Sequence, residues 1–445
     1  MMKQWIEQTL PQQVEELQNL IRIPSVSRGE PKEGMPFGEE VHKALTYALD
    51  LANRLGFRRT TNLDGYCGYV DFGEGEEQLL IMSHLDVVPV GSGWTKEPFA
   101  ATIENGRMYG RGTIDDKGAA VSSLYALAAI KEAGIPLRRS VRILFGCDEE
   151  RGSDCVKYYK TKEKNPTLGF TPDGEYPLVN AEKGITQTVW KKSFAGSKVS
   201  IQCGTAANVI PGEASATLPF AAEPVAVPEG YKVTFEGNTV SVVGRGGHAS
   251  TPELGKNALQ CLLEILTQQP LTGEDYATVT SLHALFGYDY NGEGFNMDVT
   301  DESGRLTLSL NVLNWDETGV SITCDCRHPF SVSNEDLMKA MSSNLNVLGF
   351  ENVSCRHTPC LYMPEDSELV QGLLEVYEKN IGHKAKPLAI GGGTYARSFP
   401  NTVAFGVIKE NGVNECHMPD ESIGIDEMLF NTIVMAEAIE KLAGE

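Results

Sequence analysis

Ile81-Met82-Ser83-His84-Leu85-Asp86-Val87-Val88-Pro89 decides the fold, because it reads as a buried strand that delivers polar groups to its carboxyl end. The apolar run starts at Leu79, gives way to His84, and reaches Asp86 two residues later. In open α/β sheets, ligands bind beyond the carboxyl ends of the strands. An imidazole there can take a metal ion while a neighbouring carboxylate holds the ring in one tautomer and raises its basicity. A histidine after a strand also serves structural ends, so the rest of the chain decides its weight.

Upstream, residues 4–22 and 37–55 read as helices. Val41, Leu45, Ala48, Leu51 and Leu55 fall near helical spacing, with Gly56 as a stop. Residues 65–72 and 78–82 read as strands. Downstream, Tyr109-Gly110-Arg111-Gly112-Thr113-Ile114-Asp115-Asp116-Lys117-Gly118 is a glycine-framed turn before a helix carrying Val121, Leu124, Leu127 and Ile130. Asp115 could simply cap that helix, but two aspartates inside one such turn weaken that account. A strand at 141–146 runs into Cys147-Asp148-Glu149-Glu150, and Thr171-Pro172-Asp173-Gly174 puts another aspartate in a turn. The β-α-β alternation with polar strand ends indicates an α/β domain.

After about residue 185 the pattern changes to antiparallel-type strands near 198–203, 214–220, 232–235 and 239–243, then a helix at 257–268. A second group follows: strands near 305–313 and 319–326, a helix at 334–348 and strands within 351–363. Two successive strand–helix groups suggest an inserted α+β lid of two similar lobes, spanning 186–384. A glycine loop at Leu388–Thr394, a strand at 402–408, a polar loop at Asn414–Glu421 and a helix at 426–442 resemble the first region again. Residues 385–445 are therefore expected to complete the sheet begun in 1–185.

The 445 residues suffice for two or three domains. Hydrophobic residues at 41% and charged residues at 22% are ordinary for a soluble globular chain. No apolar run approaches a membrane span, and the amphipathic, acid-bearing N-terminus lacks a signal-peptide core, so a cytoplasmic location is expected. A net charge of -22 argues against nucleic acid or anionic membrane as partner. The ten cysteines show no metal-type spacing and read as reduced, mostly buried residues.

His84, Asp86, Asp115, Glu149, Glu150, Asp173 and His417 all follow strands or tight turns. Two imidazoles with several carboxylates form a borderline N/O donor set, suited to zinc, manganese or cobalt. Converging carboxylates would otherwise repel and raise one another's pKa. Two ions sharing a site need a bridging carboxylate, for which Asp115 is the best candidate.

HLDVVP, GRGTIDDKG, CDEE, TPDGE and the late ECHMPDE resemble, in order and spacing, the motifs of the co-catalytic metallopeptidases of the M20 family. The long inserted segment most resembles that of PepV-type dipeptidases. The resemblance implies a mixed-sheet α/β/α di-metal peptidase domain with the inserted lid. It implies two divalent ions, zinc foremost, with Asp115 bridging, His84 and Asp173 completing one site, and Glu150 and His417 the other. Asp86 would orient His84, and Glu149 would be the general base that activates a metal-bridging water. His248, in Arg245-Gly246-Gly247-His248-Ala249-Ser250, would steady the oxyanion. A doubled lid would supply it from the same chain, hence a monomer. Asn208 would contact substrate. Arg327 could clamp a substrate carboxylate with two parallel hydrogen bonds. Gly391, Gly392 and Gly393 would let backbone amides approach the substrate terminus. His42, His283, His328, His357 and His383 match no family site.

The expected activity is hydrolysis of short unblocked peptides, dipeptides above all. An N-acyl amino-acid deacylase of the acetylornithine or succinyl-diaminopimelate type would use the same motifs. A non-catalytic metal- or peptide-binding protein would have lost a ligand or the base, and neither is missing.

Overall fold

A computed structural model describes residues 1–27 and 29–445. The chain divides into two compact units, Met1–Asn180 with Met363–Leu388 and Gly393–Glu445, and Ala181–Tyr362 with Ala389–Gly392.

The first unit is built on a mixed sheet. Its strands run in the order Arg59–Leu63, Cys67–Phe72, Ser140–Gly146, Gln78–His84, Leu168–Thr171 and Thr402–Ala404. The last four are mutually parallel, and the first two are antiparallel additions. Parallel neighbours need crossover connections. Helices Lys117–Ala133 and Asp154–Lys162 supply two of them. Leu79 through His84 are all 0% exposed, so the strand is covered on both faces. Helix Lys117–Ala133 is buried along its first fourteen residues and packs against helices Met2–Ile21 and Ile425–Ala443. A helix buried on every side along most of its length has to sit inside such a core.

The second unit carries an eight-stranded sheet, antiparallel throughout. Its order is Lys232–Glu236, Thr239–Val243, Glu213–Thr217, Ser200–Cys203, Thr307–Asp316, Gly319–His328, Gly184–Ser193 and Glu351–Thr358. Along Gly184–Ser193, buried Thr186, Thr188 and Trp190 alternate with more accessible neighbours, the pattern of a sheet with one wet face. Helix Ala258–Thr267 packs on one half of this sheet and helix Asn334–Leu345 on the strand Glu351–Thr358 at the other end. The two strand–helix groups foreseen from the sequence thus occupy the halves of one sheet over one core, which includes Trp190, Leu262, Leu310, Ile322 and Leu337.

The boundaries differ from the sequence expectation. Helix Glu368–Ile381 was placed in the inserted segment by the limit at 384, but it packs on Ile425–Ala443 and belongs to the first unit, so the insertion ends at 362. Its buried Leu369, Val370, Leu373 and Tyr377 would suit either core by pattern alone. Strand Gly184–Ser193 and helix Gly273–Phe286 were not foreseen. Among the described residues no helix is long and apolar enough to cross a membrane. All ten cysteines are free thiols.

Candidate metal centre

His84 is the last residue of its strand and is completely buried. Its Nδ1 lies 2.8 Å from the Asp86 carbonyl oxygen. Donating there puts the ring proton on Nδ1 and leaves the Nε2 lone pair for a ligand. Nε2 is 2.8 Å from Asp115 Oδ1 and 3.6 Å from Asp173 Oδ2. On the other side, His417 Nε2 is 3.0 Å from Asp115 Oδ2 and 3.3 Å from Glu150 Oε2. The two oxygens of Asp115 therefore face two different imidazoles. Single ligand atoms of His84, Asp115 and Glu150 lie within 4.8 Å of one another.

The local sequence explains this convergence. Gly112 takes φ +93°, and a Cβ at Gly118 would lie 2.1 Å from the Thr113 carbonyl oxygen. Both glycines let the chain double back before helix Lys117–Ala133, which brings Asp115 to the strand end. Asp116, at the N-cap position, accepts the His84 backbone N–H at 3.0 Å and ties the turn to that strand. Asp86 works differently from the expectation that its carboxylate holds the His84 ring. The backbone carbonyl takes the imidazole, while the carboxylate, 3.6 Å from Nδ1, accepts the N–H groups of Glu149 and Glu150 at 3.0 and 3.3 Å. One residue thereby fixes both the histidine and the acidic loop.

The electrostatics fit a cation site. Burial pushes Glu149 well above the usual carboxylate range; His84 opposes this and Asp173 and Glu150 reinforce it. Burial also pushes Asp86 and Asp173 up to about 7. Partial desolvation would lower the half-exposed His417, yet Asp115 and Glu150 raise it to about 11. Burial would raise Asp115, but His417 and His84 hold it well below its ordinary value. Nε2 of His84 and Oε1 of Glu150 are buried without a hydrogen-bond partner of sound geometry. Crowded acids, imidazoles as their positive neighbours and two orphaned donor atoms are what divalent ions would satisfy.

In the second unit, Val209–Ile210 pairs with Gly247–His248, and the Ala249 N–H donates to the Asn208 carbonyl at 2.9 Å, so Asn208 and His248 are neighbours. Ser250 N donates to His248 Nδ1 at 3.2 Å, with Ser250 Oγ at 2.6 Å, which leaves the neutral ring's proton on Nε2. Arg327 departs from the expected bidentate clamp. Its Nε and Nη2 are taken by Asp325 at 2.5 and 3.1 Å, and Nη1 donates to the Gly391 carbonyl at 3.1 Å. Its strong partner comes from two residues away on the same strand.

The family description "Peptidase family M20/M25/M40" matches residues 80–441. The chain belongs to this family. The M20 peptidase is 36% identical over 452 residues to YtjP of Bacillus subtilis (strain 168), provisionally named a dipeptidase, with 97% of each chain covered. It is 33% identical to the Beta-Ala-Xaa dipeptidase of Lactobacillus delbrueckii subsp. lactis, covering 96% of this chain and 95% of that one. Among solved structures it resembles the dipeptidase Dug1p of Saccharomyces cerevisiae, with a TM-score of 0.62, 16% identity, and 99% and 97% of the two chains covered. That likeness extends to the fold.

Sequence reasoning missed several residues around the centre of this M20 peptidase. Glu421 is completely buried and accepts three backbone N–H groups of the Asp115 turn; Arg111 pairs with it. The Tyr395 ring stands edge-on to His84, with centroids 6.1 Å apart. Arg111 and Glu421 both lie inside quoted motifs, but an acid four residues after a histidine carries no sign of its distant partner.

Proposed function

We propose that this M20 peptidase is a metal-dependent dipeptidase acting on short unblocked peptides. The observation that carries the reading is one carboxylate, Asp115, with its two oxygens facing His84 and His417. The full-length similarity to relatives named as dipeptidases supports the substrate class.

In this reading, His84 and Asp173 would hold one divalent ion with Asp115, and Glu150 and His417 would hold the other. Zinc suits the donors best; manganese and cobalt also fit. When bound, such ions supply Lewis acidity and acidify water toward neutral pH. Glu149, its affinity for a proton raised by burial, takes a proton from the attacking water and hands it to the leaving amine. His248, with its proton on Nε2, donates to the oxygen that gains charge. Asn208, the Nη1 side of Arg327 and the backbone of Gly391, Gly392 and Gly393 hold the ends of the substrate. The chain acts as a cytoplasmic monomer.

The test is hydrolysis by metal-stripped protein, with zinc or manganese restored, of unblocked dipeptides, a β-alanyl dipeptide included, and of their N-acetylated twins. Cleavage of the free dipeptides alone, and only with metal, is expected. Release of acetate from the twins would replace this reading with the deacylase one.

A further inference from the structure

We propose that the buried pair Arg111–Glu421 is a positioning pair that sets Asp115 against His417, and so governs the metal position those two residues share with Glu150. The inference rests on the two-ion reading above.

Asp115 and His417 are 302 residues apart in sequence, and their ligand atoms meet at 3.0 Å. Asp115 rides on a turn beside the central sheet, whereas His417 rides on an exposed loop. Its backbone is left-handed, at φ +65°, and so is that of Asp420, at φ +59°. Non-glycine residues occupy this region sparsely, and only where the surroundings hold them. Something must therefore hold this loop against the turn.

Glu421 does so from the loop side. Its Oε1 accepts the N–H groups of Gly112, Ile114 and Asp115 at 3.0, 2.9 and 3.3 Å. Its own carbonyl accepts the Gly110 N–H at 2.9 Å. Arg111 answers from the turn side. Nη1 donates to Glu421 Oε2 at 2.7 Å, and Nη2 donates to the His417 carbonyl at 3.2 Å. Trp94 covers the guanidinium, 5.2 Å from its ring centroid. Arg111 is 1% exposed and Glu421 0%, so both charges of the pair are withdrawn from water. A guanidinium fork bonded to both the carboxylate and the ligand's own carbonyl fixes direction as well as distance. His84 needs no such support, because a strand delivers it.

The two metal positions should therefore respond differently. Zinc binding is measured by competition with a chromophoric chelator, alongside metal analysis and the thermal midpoint of the metal-free protein. The proteins are wild type, Arg111→Met, Glu421→Gln and the double variant. Each single substitution is expected to weaken one zinc equivalent by roughly 10–100-fold, the range for residues that orient ligands, and to leave the other near its wild-type affinity. Each single variant also strands a buried charge and loses stability. The double variant strands none, so its midpoint should recover while the weak equivalent stays weak. That split is what a purely structural pair would not produce. Wild-type affinity for both equivalents in the double variant would overturn the proposal, as would equal weakening of both. A wild-type protein that binds fewer than two zinc equivalents would overturn the two-ion reading and this inference with it, whereas two tight equivalents in every protein would overturn this inference alone.

Discussion

Two strands show how differently the two units use their sequence. Gln78–His84 is buried at every residue from Leu79 onward, and its polar residue of consequence stands at its end. Gly184–Ser193 buries every second residue over most of its length and shows the others to solvent. A parallel sheet covered on both faces has nowhere to place chemistry except beyond its strands. An antiparallel sheet with one open face can tolerate polar and charged residues along its whole length. The first unit therefore concentrates function at points, and the second distributes tolerance along lines.

The largest test of that contrast is catalytic. Glu149→Gln, just beyond the end of a buried strand, should lower kcat by roughly 10³–10⁴-fold, because one acid moves both protons, while metal content stays at the wild-type level. His248→Ala, in the second unit, should cost roughly 10²-fold, also in kcat, as the loss of one oxyanion donor. Steady-state kinetics with metal analysis would decide it, and equal losses would break the comparison.

Next in size is packing. Ile81→Ala and Met82→Ala sit at adjacent positions on opposite faces, and each should cost about 2–5 kcal/mol. In the second unit, Trp190→Ala should cost about 3–5 kcal/mol, but its exposed neighbour Lys191→Ala should stay within about 0.5 kcal/mol. Denaturant unfolding of the four variants would show two losses in a row in one strand and one loss beside none in the other. A large cost at Lys191 would end the distinction.

The smallest effect is on pH. Burial lowers the pKa of His328, which stacks on His357 with centroids 5.5 Å apart. The folded value lies below the unfolded one, so the unfolded chain takes up this proton first. The stability His328 contributes is therefore full above the ordinary histidine value and falls as the pH drops from there toward the folded value. In the first unit, burial opposes but Arg142 wins in lowering Glu163, so that contribution is lost only below the ordinary glutamate value. Thermal midpoints of wild type and His328→Gln between pH 7.5 and 5.5 should differ in slope, the wild type losing more. Identical slopes would show that His328 is not the residue that responds.

Much of the candidate centre was legible because most of its polar residues are announced locally. His84 follows an apolar run, Asp115 sits between glycines, and Glu149 and Glu150 follow a strand. Two roles misread from the sequence share a cause. Asp86 is expected to hold His84 through its carboxylate, whereas its carbonyl is the group in contact, and Arg327 is expected to clamp substrate with two parallel bonds, whereas Asp325 already takes Nε and Nη2. Residue type reveals what a side chain can do, not which of its atoms is already engaged. The insertion limit at 384 erred for a related reason: the apolar face of Glu368–Ile381 states that the helix is buried, not against what.

By itself, then, the sequence determined the periods of burial, the α/β class, the family and the donor atoms available for metal, since all of these depend on neighbours within a few residues. Only the tertiary structure decided that Asp115 reaches both His84 and His417, that Glu421 accepts the N–H groups of Gly112, Ile114 and Asp115 some 306–309 residues earlier and pairs with Arg111, and that one sheet carries both halves of the insertion. Such contacts join segments that chain order keeps apart. They form because a buried donor must find an acceptor, and the acceptor is whatever the packing brings within about 3 Å.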